Sequence, residues 1–158
     1  MKNSELKSVE KSGRASTRNQ KNSPQRILVV DDEADARQIC IEILTGSGYV
    51  VESANDGVAG WEALQSNRYD LVITDNKMPR MSGMEMIEKL RVARMGIPVI
   101  MATGFMPTHI FDRHPSLKPD ATLERPFSND ELLAAVKKIL LAQDGDEGRP
   151  ESLLPKYL

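Results

Sequence analysis

Short, continuous apolar segments recur along the chain and constrain its fold more than any other feature. The clearest are residues 27–30, 71–73 and 97–102, each bounded by acidic or turn-forming residues. These runs are too short for core helices and are typical of strands that are buried on both faces. The β-branched residues of segment 49–54 and the short segment 121–124 predict two further strands. The sequence therefore predicts a five-stranded sheet that is covered on both sides.

Segments with helical apolar spacing alternate with these strands. They predict helices at 34–45, around 58–64, at 83–93, between Pro107 and Pro115, and from residue 129 onwards. The side chains expected to face the core are Ala36, Ile39, Cys40, Ile43, Val58, Trp61, Leu64, Met84, Ile87, Leu90, Leu132, Leu133, Val136, Ile139 and Leu140. Alternating strands and helices with short connections predict an α/β domain, a doubly wound five-stranded parallel sheet with five helices.

Charge is distributed unevenly along the chain. Residues 1–26 hold seven Lys/Arg and two Asp/Glu, about +5, whereas the other residues hold fourteen and twenty-one, about −7, which together give −2. We expect residues 1–24 to be a disordered basic tail, because they contain almost no large apolar side chains. Residues 25–142 form the predicted domain, and 143–158 a short C-terminal tail. An acidic domain is not typical of a dedicated nucleic-acid-binding protein, and no direct DNA binding is expected.

The cellular compartment is predicted from cysteine content and hydropathy. A single cysteine, Cys40, excludes an intrachain disulfide and fits a reducing compartment. The amino terminus has no apolar core of a secretory signal, and no apolar run approaches the roughly 20 residues that span a bilayer. We therefore expect a cytoplasmic protein without membrane contact.

Polar residues follow four of the predicted strands. Asp31 and Asp32 follow the first strand, Asp75 the third, Thr103 the fourth and Arg125 the fifth. The carboxyl ends of parallel strands share one edge of a sheet, so these side chains should converge there. Three convergent carboxylates repel one another, and a hard divalent cation relieves that repulsion; oxygen ligands favour Mg²⁺ over zinc. Each acid taken alone also fits a simpler role in a turn or helix cap.

Four short motifs in this order carry a family resemblance. They are the segment 29–33 (Val-Val-Asp-Asp-Glu), the segment 75–83 (Asp-Asn-Lys-Met-Pro-Arg-Met-Ser-Gly), the segment 101–104 (Met-Ala-Thr-Gly) and the segment 125–127 (Arg-Pro-Phe). With them, residues 25–142 resemble the receiver domain of two-component response regulators, of the single-domain type seen in the chemotaxis regulator. The resemblance implies a flavodoxin-like receiver fold.

The resemblance also implies roles for individual residues. Asp75 would be the phosphoacceptor that attacks a phosphohistidine, and Asp31, Asp32, Asp75 and the backbone carbonyl of Lys77 would hold Mg²⁺. Thr103 would donate its hydroxyl to a phosphoryl oxygen. Arg125 would place a cation near Asp75, and its peptide bond to Pro126 would be cis, as in the family. Phosphoryl transfer of this kind depends mainly on positioning and charge neutralisation.

Two positions depart from the family pattern. Arg125 stands where the family has Lys, and its longer, planar, bidentate side chain is not equivalent to an ammonium. Thr122 stands where the family usually has an aromatic residue whose rotation reports phosphorylation. Phosphorylation of Asp75 remains the expectation, but Thr122 lacks the ring through which the family switches.

The expected function is that of a phosphorylatable signalling receiver, not an enzyme with external turnover, although it assists its own phosphorylation and dephosphorylation. Its expected partners are a sensor histidine kinase or histidine phosphotransfer protein and a downstream protein target, reached by protein contact or phosphorelay. The alternative is a pseudo-receiver, an interaction module that works without phosphate. A nucleotide-binding enzyme is disfavoured, because the acidic segment after the first strand replaces the Gly-rich phosphate loop.

Overall fold

The computed structural model of the protein describes residues 23–147, and the side chains of residues 23–144. Eleven elements alternate along this part of the chain. The strands are β1 Arg26–Val30, β2 Val50–Ala54, β3 Leu71–Thr74, β4 Val99–Thr103 and β5 Ala121–Glu124. The helices are α1 Ala34–Gly46, α2 Gly57–Ser66, α3 Gly83–Val92, α4 Thr108–Arg113, a 3₁₀ turn Pro115–Leu117, and α5 Asn129–Glu147.

All five strands lie in one parallel sheet with the order β2-β1-β3-β4-β5. The chain runs outward from β1 to β2 and then crosses back to β3 on the other side of β1. This reversal leaves a crevice beyond the carboxyl ends of β1 and β3, where open α/β sheets bind their ligands. The predicted fold class is confirmed.

The two faces of the sheet build separate cores from alternating residues of the same strands. In β1, Leu28 and Val30 join the core that includes Ile87 and Leu90 of α3, whereas Ile27 and Val29 join the other. That second core includes Leu44 of α1 together with Leu132, Val136 and Leu140 of α5. A strand alternates its side chains between faces, so a sheet covered on both sides needs apolar residues at successive positions. The apolar runs of the sequence follow from this requirement.

Most predicted elements begin and end within two residues of the observed ones. The prediction that Ile39 faces the core is wrong, because Ile39 is 56% exposed. Cys40 and Leu44, one helical turn apart, define the buried direction of α1, and Ile39 lies about 100° around the helix from Cys40. Helix α5 continues through Gly145 to Glu147, beyond residue 142, where the predicted domain ends.

The predicted basic tail at 1–24 lies outside the described residues except for residues 23 and 24. The predicted C-terminal tail at 143–158 lies outside them beyond residue 147, and its first five residues belong to α5. Among the helices of residues 23–147, none combines the length and apolar character needed to cross a membrane.

Candidate functional site

Backbone hydrogen bonds hold the predicted site residues at adjacent strand ends. The Asp75 amide donates to the Val30 carbonyl at 3.0 Å, so Asp75 continues β3 alongside β1. The Asp31 amide donates to the Ala54 carbonyl of β2 at 3.1 Å, and the Arg125 amide to the Thr103 carbonyl of β4 at 3.0 Å. The sheet therefore extends by one residue at each of these ends, which fixes where the side chains start.

Three carboxylates meet at this edge. Asp31, Asp32 and Asp75 each offer one carboxylate oxygen, and these oxygens lie within 4.8 Å of one another. Asp31 and Asp75 are buried, and Asp32 is exposed. Helix capping does not explain Asp31 and Asp32, which follow β1, because the N-cap of α1 is Glu33, whose side chain makes no capping bond. Asp31 Oδ1 instead accepts a hydrogen bond from the Glu33 amide at 3.0 Å.

Arg125 supplies the positive charge of the site. Its Nη2 forms a short ion pair with Asp31 Oδ2, and its Nη1 lies 3.5 Å from Asp75 Oδ2. One guanidinium thus bridges two buried carboxylates. It does so through the two ends of its rigid, planar fork, which a compact lysine ammonium does not have. The Arg125–Pro126 peptide bond is cis, as the resemblance implied. The pKa of Arg125 is raised despite its burial, through its hydrogen bond and charge interaction with Asp31.

The environment of Asp75 combines burial with several stabilising contacts. Burial raises the pKa of Asp75, whereas hydrogen bonds from the Thr103 hydroxyl and the Asn76 amide and the charge of Arg125 act in the opposite direction. The Asn76 amide donates to Asp75 Oδ1 at 2.7 Å. Thr103 is buried at the end of β4, and its hydroxyl lowers the pKa of Asp75. The carboxylate is therefore shielded from bulk water while its charge is balanced locally.

The loop that follows Asp75 is closed by Asn76. The Asn76 carbonyl accepts a hydrogen bond from the Gly83 amide at 2.9 Å, and its side-chain oxygen accepts from the Met84 amide at 3.1 Å. Gly83 is required here, because a Cβ at this position would lie 2.3 Å from the Asp75 carbonyl oxygen. The start of α3 is thereby held directly against the phosphoacceptor candidate.

The structure brings Asp31, Asp32, Asp75, Thr103 and Arg125 together, as the sequence predicted. The side chain of Lys77 is exposed and its Nζ lies 5.3 Å from the centroid of the Phe105 ring. A role for the Lys77 carbonyl in metal binding stays a prediction. Thr122 is exposed on β5.

Sequence reasoning missed two supporting residues. Asn76 closes the loop, and its place directly after Asp75 is a signal that could have identified it. Arg37 donates from Nη1 to the Asp31 carbonyl at 2.7 Å, which ties α1 to the end of β1. Arg37 lies only six residues after Asp31, in the first turn of α1, so this contact forms locally where the chain passes from β1 into α1.

Comparison with known proteins agrees with this geometry. Residues 27–137 match the family model described as the response regulator receiver domain. The response regulator MprA of Mycobacterium sp. strain KMS is 37% identical over 131 residues, which is 82% of this chain and 56% of MprA. The probable transcriptional regulatory protein SilR of Salmonella typhimurium is 34% identical over 115 residues, 73% of this chain and 50% of SilR. The chain thus spans about half the length of these curated relatives.

Solved structures of receiver domains superpose over most of the chain. A CheY-like response regulator receiver domain protein from Methanospirillum hungatei has a TM-score of 0.74 at 31% identity, covering 78% of this chain and 99% of its own. The response regulator TrrA from Thermotoga maritima, solved in complex with Mg²⁺-BeF, has a TM-score of 0.66 at 35% identity, covering 73% and 98%. From its matched residues, its sheet order and its strand-end carboxylates, the chain belongs to the receiver domain family of two-component response regulators.

Proposed function

We propose that this receiver accepts a phosphoryl group on Asp75 from a phosphohistidine, in a reaction that depends on Mg²⁺. The observation that carries the proposal is the cluster of three carboxylates within 4.8 Å, together with the Arg125 guanidinium bridging two of them. A buried carboxylate with two acidic neighbours and a cation is an arrangement suited to handling a phosphate and its counter-charge.

The donor set fits a hard divalent cation, because all three side chains offer oxygen and one of them, Asp32, is exposed to solvent. Asp31, Asp32 and Asp75 would hold Mg²⁺, with the Lys77 carbonyl as a further ligand. When bound, the ion neutralises charge on the transferring phosphoryl group. The relative TrrA was solved with Mg²⁺-BeF, which supports this assignment.

The chain's own residues perform the remaining tasks. A carboxylate oxygen of Asp75 forms the new O–P bond while the N–P bond of the phosphohistidine breaks. The electron pair of the N–P bond stays on the imidazole nitrogen. The Thr103 hydroxyl, buried at the end of β4, donates to a phosphoryl oxygen after transfer. After transfer, the Arg125 guanidinium can pair with the phosphoryl group instead of the Asp75 carboxylate. Its planar fork suits charge-assisted hydrogen bonds to phosphate as well as to carboxylate.

The proposed partners are a sensor histidine kinase or histidine phosphotransfer protein on the input side and a protein target on the output side. The receiver is a phosphoacceptor that assists its own phosphorylation and dephosphorylation, and not an enzyme that turns over an external substrate. The match to response regulators over 82% of the chain supports these roles.

A pseudo-receiver is the second candidate, and the ion pair between Arg125 and Asp31 favours it. Both Asp31 oxygens are engaged, one by the Glu33 amide and one by Arg125, so the Asp31 carboxylate has its hydrogen-bond and charge partners without a metal. The exposed Thr122 has no ring with which to report phosphorylation. Such a module would bind a partner equally well with or without a phosphodonor.

The test is incubation of the protein with Mg²⁺ and acetyl phosphate, followed by intact mass measurement. We expect the addition of one phosphoryl group as a base-labile adduct that requires Mg²⁺. Asp75→Asn should remove it, whereas the matched control Asp112→Asn, at an exposed aspartate of α4, should label like the wild type. Full labelling of Asp75→Asn would refute the assignment, and unlabelled wild-type protein would favour the pseudo-receiver.

A further inference from the structure

An ion pair between two loops lies next to the proposed site and has no part in the function described so far. Arg80, in the loop between β3 and α3, donates from Nε to Asp56 Oδ2 at 2.9 Å, and its Nη2 contacts the same oxygen. Asp56 precedes α2, and its other oxygen accepts a hydrogen bond from the Ala59 amide at 2.8 Å. Both oxygens of a buried carboxylate are therefore engaged, and its pKa is lowered by the Ala59 amide and by Arg80.

The backbone at Arg80 has an unusual conformation. Arg80 has a φ of 68°, in the left-handed region, and the Met81 amide donates to the Pro79 carbonyl at 2.8 Å. A bond between residues two apart with a positive φ at the central residue is the rarer, strained form of γ-turn. A strained non-glycine residue persists only where its surroundings hold it, and such residues cluster at functional sites. Here the surroundings include the ion pair of Arg80 itself.

The turn is also seated tightly on α2. A Cβ at Gly57, the first residue of α2, would lie 2.2 Å from the Met81 carbonyl oxygen. A hydrogen bond from Gly83 to Asn76 joins the two ends of the loop 76–83. Asp56 and Gly57 contact the middle of the same loop, at Arg80 and Met81. Only the short stretch of Lys77 and Met78 lies between the anchored parts.

We infer that Asp56 and Arg80 are positioning residues that hold the loop after Asp75 in the conformation needed for metal binding. The inference rests on the proposed function, in which the Lys77 carbonyl is a ligand of Mg²⁺. Mg²⁺ demands near-ideal ligand geometry, so a loop ligand contributes only when its backbone is held in place. The Asp56–Arg80 pair supplies this restraint from a neighbouring loop, without contacting the metal or the phosphoryl group.

The ion pair can be broken with little damage to the fold. The Arg80 side chain is 64% exposed, so shortening it removes little packing. Arg80→Asn deletes the guanidinium and keeps a residue that tolerates positive φ. Asp56→Asn removes the charge and keeps an equally good N-cap for α2. The matched control is Arg94→Asn, since Arg94 is an exposed arginine with a φ of 55° located beyond α3.

The first measurement is Mg²⁺ affinity of the unphosphorylated full chain, by calorimetry or by amide chemical shifts. Loss of a residue that orients a metal ligand typically weakens metal binding about 10-fold or more. We expect about a 10-fold loss for Arg80→Asn and for Asp56→Asn, no further loss in the double variant, and no change for Arg94→Asn. At saturating Mg²⁺, labelling by acetyl phosphate should recover to the wild-type rate, because the residues that contact the phosphoryl group are intact.

The second measurement needs no metal. Amide hydrogen exchange at Met81 and Gly83, whose amides donate to the Pro79 and Asn76 carbonyls within the loop, should be faster in Arg80→Asn than in the wild type, with exchange in β3 unchanged. Unaltered Mg²⁺ affinity in Arg80→Asn, or fully additive losses in the double variant, would refute the positioning role while leaving the proposed function intact. Wild-type protein that bound no Mg²⁺ would instead refute the proposed function, and this role with it.

Discussion

Removal of the Arg125 side chain should destabilise the metal-free protein, and Mg²⁺ should reverse the loss. The Asp31 side chain is only 3% exposed and that of Asp75 11%, so Arg125→Ala leaves two buried carboxylates without a counter-charge. At an effective dielectric constant of about 20, a unit charge pair separated by 3.5 Å, the distance from Arg125 Nη1 to Asp75 Oδ2, interacts by about 5 kcal/mol. Burying the guanidinium offsets part of this attraction.

The net effect can be bounded from these contacts. Removing one partner of a buried ion pair costs about 3–5 kcal/mol in the free energy of unfolding. Because the Arg125 side chain is 26% exposed, we expect the lower end, about 3 kcal/mol. Mg²⁺ at 100 times its dissociation constant should restore about 2.7 kcal/mol to the variant, since the ion binds only the folded state. At the same Mg²⁺ concentration the wild type should gain less, because Arg125 already pairs with the Asp31 carboxylate.

The assay is urea denaturation in EDTA and in excess Mg²⁺, with Asp31→Asn and the double variant completing a mutant cycle. The double variant should be more stable in EDTA than Arg125→Ala alone, because neutralising Asp31 removes the uncompensated charge. The control is Arg26→Ala, which breaks a half-exposed pair with Glu52 at the opposite edge of the sheet and should cost about 1 kcal/mol with no dependence on Mg²⁺. Wild-type stability of Arg125→Ala in EDTA, or equal stabilisation of both proteins by Mg²⁺, would refute this reasoning.

Three further predictions concern the site and the core. Gly83→Ala should lower the free energy of unfolding by about 1–3 kcal/mol in urea, because its Cβ would meet the Asp75 carbonyl, whereas Gly96→Ala, with open space around it, should not. Burial raises the pKa of Asp75, so in EDTA its stabilising contribution is present below about pH 4 and is lost as the pH rises. Asp75→Asn should therefore gain stability relative to the wild type as the pH rises above about 4, and a constant or shrinking difference would contradict this. Burial also raises the pKa of Cys40 to about 11, so a disulfide reagent at pH 8 should react at least about 100-fold more slowly in the native protein than in urea; equal rates would show an accessible thiolate.

The sequence by itself determined the element order and the main site residues. Residues 27–30 and 71–73 are apolar at every position, which only a strand covered on both faces requires. Because parallel strands end at one edge, the positions of Asp31, Asp75 and Arg125 directly after three predicted strands were sufficient to predict their convergence. Local spacing carries this information, since each prediction depends on a strand and the residue that follows it.

Tertiary structure alone decided the contacts between segments that are distant in sequence. The orientation of α1 excluded Ile39 from the core, although the helical spacing admitted it, because the packing of Cys40 and Leu44 on the sheet selects one of two adjacent directions. Asp56 and Arg80 are 24 residues apart and meet because α2 and the loop after β3 lie side by side in the folded domain. The strained turn at Arg80 persists only in those surroundings, so no local pattern of residues predicts it.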